Sequence, residues 1–278
     1  MPSKPTGSKI RPKKSFSQNF LVNLNAARRI VDSLELSPAE TVLEIGAGRG
    51  VLTQFLVEKA KRVLAVELDR NLVALLKERF THSENLEIIS ADVLKVRLTD
   101  YVLPSQKIKI VGNLPYQITS PILEWMMNQR ELIQQAVVTV QREVAKRLSA
   151  KPGTRDWSPI SIFCQVYSQP KILSTLSPGS FFPAPKVESA VVRLEILNRP
   201  LVKFEEEPAF FQLVRKIFTS RRKTLLKALS SGTGQPRNQV EGALKECHIK
   251  PQTRGETLTI PELLTLAAAL KNQAKATL

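Results

Sequence analysis

Cysteine is scarce in this chain, long apolar runs are missing, and two stretches contain no acidic residue. The only cysteines, Cys164 and Cys247, lie far apart in 278 residues. They have neither the spacing of a metal site nor the makings of a disulfide framework, which implies a reducing, intracellular setting. No apolar run reaches the roughly 18 residues that a membrane helix needs. The segment MPSKPTGSKIRPKKSFSQNFL is basic, but it lacks the apolar core and small-residue cleavage site of a secretion signal. With no acid before Asp32, its composition does not exclude a transit peptide. A cytoplasmic location is expected. No sustained heptad and no obvious exposed apolar face is evident, so a monomer is expected.

What is present is positive charge. The formal net charge is +16 and the isoelectric point is near 10.0. Residues 1–31 hold Lys4, Lys9, Arg11, Lys13, Lys14, Arg28 and Arg29 without an acid. Between Glu207 and Glu241 stand Arg215, Lys216, Arg221, Arg222, Lys223, Lys227 and Arg237, again without an acid. A solvated surface would mix the signs. Two acid-free blocks fit a polyanionic partner, and nucleic acid is favoured over a membrane surface.

Hydrophobic residues make up 42% of the chain, enough for one sizeable core and a second small one. Strand and helix patterns alternate. TVLEIG (41–46), RVLAVELD (62–69), LEIISAD (86–92), KIKIVGN (107–113) and QAVVTVQ (135–141) read as strands. VLTQFLVEKA, NLVALLKERF, SPILEWMMNQ and EVAKRLSA read as helices. This alternation predicts an α/β fold with a mostly parallel sheet. A helix (ISIFCQVYS), a strand (KILSTLS), a Pro-rich loop and a strand (SAVVRLEIL) follow. LNRPLVKFEEEP then reads as a linker, and only helical patterns come after it. A boundary near residue 200 is expected, with domains at 1–200 and 201–278 and the second all helical.

The first strand runs into Gly46, Ala47, Gly48, Arg49 and Gly50. Alternate glycines let a backbone turn sharply and approach a ligand. A dinucleotide fingerprint would need glycine where Val51 stands, and no Gly-Lys-Ser/Thr of a phosphate loop follows. Glu67 ends the second strand, where a carboxylate faces ribose hydroxyls in doubly wound sheets. Asp92 ends the third, within reach of an adenine amino group. Asp69 and Asp92 could equally be helix caps.

EIGAGRG, the acid on the second strand and NLPY after the fourth resemble the Rossmann-like S-adenosylmethionine methyltransferases that modify exocyclic amines. FSQNFL (16–21), VVTVQREVAKRL (137–148), FFPAPKVESAVV (181–192) and FTSRRKTLLKAL (218–229) are similar to the ribosomal RNA adenine N6,N6-dimethyltransferase family. The resemblance spans about Phe16 to Leu229. NLPYQITSPIL and the RRKTL run favour its small-subunit type over its large-subunit type. Ser17 departs from the family, which often has glycine there. The resemblance implies S-adenosylmethionine as cofactor, held by Gln18, Asn19, Leu21, Gly46, Gly48, Glu67, Asp92 and Asn113. It implies small-subunit rRNA and the immature small subunit as partners, and no metal.

An adenine amino nitrogen is a poor nucleophile because its lone pair is delocalised into the ring. Two acceptors holding that group would make the nitrogen more tetrahedral. The Asn113 side-chain oxygen and the Leu114 carbonyl are the candidates. Pro115 stiffens the turn and biases Leu114 towards an extended backbone. Tyr116 offers a face on which a base can stack, and the resemblance puts Phe181 on the other face, with Phe182 the alternative. Arg221, Arg222 and Lys223 are assigned to RNA phosphates. The plainer alternatives are a strand-ending turn for Asn113, core packing for Tyr116 and a solvated helix face for the basic run.

Overall fold

The computed structural model describes residues 19–219, 223–232 and 236–275. The chain divides into two compact units, Met1–Ala145 with Lys171–Ile196, and Lys146–Pro170 with Leu197–Leu278.

In chain order, the first unit contains β1 (Phe20–Leu21), α1 (Leu24–Asp32), β2 (Thr41–Ile45), α2 (Thr53–Leu56), β3 (Arg62–Glu67) and α3 (Arg70–Arg79). Next come β4 (Leu86–Ser90), β5 (Ile108–Asn113), α4 (Thr119–Asn128) and β6 (Ile133–Gln141). After α5 (Arg142–Leu148) and α6 (Pro159–Tyr167) come β7 (Ser168–Leu176), β8 (Phe181–Phe182) and β9 (Ser189–Ile196). Seven strands form one sheet in the order β4-β3-β2-β5-β6-β9-β7. The pairs from β4 to β6 are parallel, and β9 runs antiparallel to β6. The parallel α/β sheet is therefore as expected. The order reverses between β2 and β5, where open α/β sheets bind ligands beyond the strands' carboxyl ends.

The central strands are mostly apolar because both faces of a parallel sheet are covered, with Glu44 of β2 and Lys109 of β5 as charged exceptions. Val42, Leu43, Ile45, Val63, Leu64, Ala65, Ile110 and Val111 are all buried. A core of Ala27, Ile30, Val31, Leu56, Val111, Val137 and Val191 packs beside them. Gly112 permits close approach: a Cβ there would sit 2.8 Å from the Ile45 carbonyl oxygen. The helix expected over 51–60 is shorter, Thr53–Leu56. Asn85 explains its early end, donating its side-chain amide to the carbonyls of Val57 and Ala60 at 3.0 and 2.9 Å.

The second unit is helical, with α7 (Glu207–Thr219), α8 (Leu225–Gly232), α9 (Arg237–Glu246) and α10 (Ile260–Lys275). Phe210, Val214, Leu225, Val240, Leu244, Leu263 and Leu266 are buried. Its extent differs from a single cut near residue 200, because Lys146–Pro170, with α6, groups with the C-terminal helices. The expected linker is tied down as well. The amides of Leu197 and Leu201 donate to the carbonyls of Tyr167 and Val166, and Val202 is buried. Cys164 is buried on α6, and burial pushes its thiol up to about 12, which makes it inert packing. No helix among the described residues is long and apolar enough to cross a membrane.

Candidate active site

A cavity of about 330 Å³ opens at the carboxyl ends of β2, β3, β4 and β5. Asn19, Gly46, Gly48, Glu67, Asp92, Asn113, Leu114, Pro115 and Tyr116 all line it. The sheet thus brings together nine residues drawn from five separate stretches of chain.

Gly48 holds a φ of +58°, which side chains rarely adopt, and its missing Cβ leaves room for a ring. That ring belongs to Phe20, whose Cδ1 lies 3.3 Å from where the Cβ would be. The Arg49 guanidinium stands over the same ring, 4.9 Å from its centroid. Glu67 braces the loop from below. Its Oε2 accepts from the Gly48 amide at 2.8 Å and its Oε1 from the Asp69 amide at 2.9 Å. Burial pushes the Glu67 carboxyl up, against these donors, which pull it down. Asp69 caps α3 through the Asn71 amide. Asp92 both lines the cavity and caps a short turn, its Oδ1 accepting from the Leu94 amide at 3.0 Å.

Asn113 closes β5. Its Nδ2 donates to the Asn19 carbonyl at 2.8 Å. Its Oδ1 is buried and accepts no hydrogen bond from the described residues. An unmet buried acceptor costs about 1–3 kcal/mol, which makes this oxygen a candidate for binding a donor on a ligand. The Leu114 amide is taken by the Thr139 carbonyl at 3.0 Å. Pro115 sits at φ −61° and ψ 127° and leads into a single helical turn, Tyr116–Ile118. The Tyr116 hydroxyl shares a 2.6 Å hydrogen bond with Ser189 Oγ.

Two further expected residues have buried side chains. Leu21 and Phe181 do not line the cavity; both are packed into the core beside Ala27, Val111 and Val137. The cause is strand alternation. β1 pairs antiparallel with β8 in the register Phe20↔Phe182 and Leu21↔Phe181, so the two pairs face opposite ways. Phe20 takes the cavity side, while Phe181 is 3% and Phe182 54% exposed. The side chains of Leu21 and Phe181 thus turn into the core. Ser17, Gln18, Arg221 and Arg222 lie outside the described residues. Lys223 is exposed just before α8.

Sequence reasoning missed Phe20, Ser189 and Glu44. Alternation along FSQNFL could have raised Phe20 as a candidate, but the pairing of β1 with β8 places it. Glu44, the penultimate residue of β2, is 1% exposed and accepts from the Thr53 hydroxyl at 2.6 Å. Burial pushes its carboxyl up to about 8, and the charge of Glu67 adds to the shift. Among the described residues no cluster of three or more His, Cys, Asp or Glu could hold a metal ion.

A cleft at the switch point, a glycine loop braced by an acid and an amide-bearing turn after β5 together define a Rossmann-like methyltransferase. Comparison with known proteins narrows the class. The family model described as ribosomal RNA adenine dimethylase matches residues 9–272, and the chain belongs to that family. Ribosomal RNA small subunit methyltransferase A of Alkaliphilus metalliredigens is 43% identical over 262 residues, 93% of this chain and 91% of that protein. The protein of the same name from Geobacter metallireducens is 38% identical, over 95% and 97% of the two chains. A dimethyladenosine transferase from Plasmodium falciparum superposes with a TM-score of 0.79 at 25% identity, covering 92% of this chain and 98% of the other. The 23S rRNA methyltransferase ErmE gives 0.72 at 28% identity, covering 91% and 100%.

Proposed function

We propose that this enzyme dimethylates the N6 amino groups of two adjacent adenines in a small-subunit rRNA hairpin, on the immature small subunit, using S-adenosylmethionine. The observation that carries the chemistry is the buried Asn113 Oδ1, without a donor among the described residues, on an amide anchored through its other end. That oxygen and the Leu114 carbonyl accept from the two N6 hydrogens. Held this way, the nitrogen directs its lone pair outward, and Tyr116 stacks on the base, a contact worth about 1–3 kcal/mol.

The cavity fits the proposed cofactor. Glu67 reaches its wall as an acceptor for ribose hydroxyls, Gly48 lets backbone approach, and Asp92 stands at the adenine end. S-adenosylmethionine held there would supply an activated methyl for the amino nitrogen, whose displaced proton would pass to solvent. The protein's own work is positioning, with no covalent enzyme intermediate. Flipping the base out costs a few kcal/mol, least in a loop. The helical unit, with Lys223 and the adjoining Arg221 and Arg222, supplies phosphate contacts. We assign the enzyme to the cytoplasm as a monomer.

Asn113→Ala should abolish methyl transfer from labelled S-adenosylmethionine while RNA binding survives. Undiminished transfer removes Asn113 from this role. The likeness to ErmE favours one rival target, large-subunit rRNA. Immature small subunits and large-subunit RNA offered side by side separate the two, and mass spectrometry of rRNA from cells lacking the gene should show dimethyladenosine missing from the small subunit.

A further inference from the structure

We infer that Ser189 is a positioning residue for the methylation reaction, acting only through the Tyr116 hydroxyl to set the angle of the base-stacking ring. The inference rests on the reading that Tyr116 stacks on the target adenine.

The two partners differ in how firmly they are held. Ser189 opens β9, is completely buried and pairs with Gln141 of β6. Beside it, the Arg142 amide donates to the Glu188 carbonyl at 3.0 Å, and the two side chains form an ion pair. The serine therefore stands on the sheet itself. Tyr116 stands on one short helical turn between β5 and α4 and is only partly buried. A tyrosine fixed only at its Cβ can exchange among staggered χ1 positions and pivot about χ2. A second anchor at the hydroxyl fixes the long axis of the ring. The 2.6 Å bond between Tyr116 Oη and Ser189 Oγ is that anchor. Burial pushes the Tyr116 phenol up, so it stays protonated and able to donate. The Thr119 hydroxyl donates to the Pro115 carbonyl at 3.1 Å and steadies the turn at its other end.

A stacking face helps only when parallel to the base it meets, and small errors of placement are expensive in rate. The plainer role for Ser189 is to satisfy a buried hydroxyl. That role would touch stability and leave the chemical step alone.

A four-variant cycle separates the two: wild type, Ser189→Ala, Tyr116→Phe and the double variant. Each is assayed for kcat of methyl transfer, KM for immature small subunits, and Tm. Ser189→Ala should lower kcat roughly three- to tenfold, the scale of one neutral hydrogen bond, with KM within about twofold. Tyr116→Phe should match it. The double variant should be no slower than either single, because all three lack the same bond. Ser189→Thr keeps the hydroxyl and should recover most of the rate. Two results overturn the proposal: an unchanged kcat in Ser189→Ala, with or without a lower Tm, or single losses that multiply in the double variant. The stacking reading fails separately, if Tyr116→Ala transfers methyl as fast as Tyr116→Phe.

Discussion

Replacing Glu44 with glutamine should remove a pH dependence from folding stability. Glu44 is buried near the end of β2, and burial pushes its carboxyl up from the ordinary 4.5 to about 8. Between those values the folded protein holds a proton that the unfolded chain has released. The folded state binds more protons, so stability falls as pH rises. The contribution is complete below pH 4.5 and gone above about 8. Each unit of that window carries about 1.4 kcal/mol, and the whole approaches about 5 kcal/mol, a large share of a typical domain's stability. Glutamine keeps an acceptor for the Thr53 hydroxyl and does not titrate. Urea unfolding of ligand-free protein from pH 5 to 8.5 is the assay. The difference between the two stability curves should move steadily in the variant's favour as pH rises. Parallel curves would refute the assignment, because they would mean Glu44 ionises alike in both states.

Phe181→Ala should cost about 3–5 kcal/mol of stability by opening a core cavity, whereas Phe182→Ala should leave Tm unchanged and, if its exposed ring meets RNA, weaken RNA binding. Equal Tm losses would contradict the alternation along β8. Gly112→Ala should destabilise by about 1–3 kcal/mol, since the new Cβ presses on the Ile45 carbonyl and forces a shift of backbone; a neutral Tm would show that β2 and β5 can spread. RNA affinity should fall steeply with salt, log K dropping by about 0.7–0.9 per unit of log salt for each neutralised phosphate, and a flat response would sink the phosphate contacts.

The parallel strands were legible because each is a short apolar run bounded by turn residues. The same runs pointed to the cavity, since the residues just after them sit at the carboxyl edge. The limits of helices were less legible where a distant side chain intervened. Nothing within VLTQFLVEKA announces that Asn85 will take its carbonyls. Leu21 and Phe181 were assigned by resemblance, and neither faces the cavity in the structure. Period-two alternation could have raised the question, but only the pairing of β1 with β8 answers it. Ser189 was beyond sequence reasoning altogether, because it meets Tyr116 across 73 residues of chain, through the strand order of the sheet. The second unit's extra segment was hidden for a related reason. Its helix α6 looks like one more crossover, and only the fold shows which core it joins.

The first unit is assembled from two separate pieces of chain, broken after Ala145 and resumed at Lys171. That interruption has a consequence during synthesis, which runs from the N-terminus. β6 is made more than forty residues before its antiparallel neighbour β9. Until Ser189–Ile196 has emerged, the sheet ends in a bare edge. The strand left bare is Ile133–Gln141, and its run from Ala136 to Val140 is buried in the finished protein. An uncovered apolar edge invites pairing with other chains. The nascent enzyme therefore carries an aggregation-prone edge from the completion of β6 until β9 emerges, an interval that includes the helical unit's first segment, Lys146–Pro170.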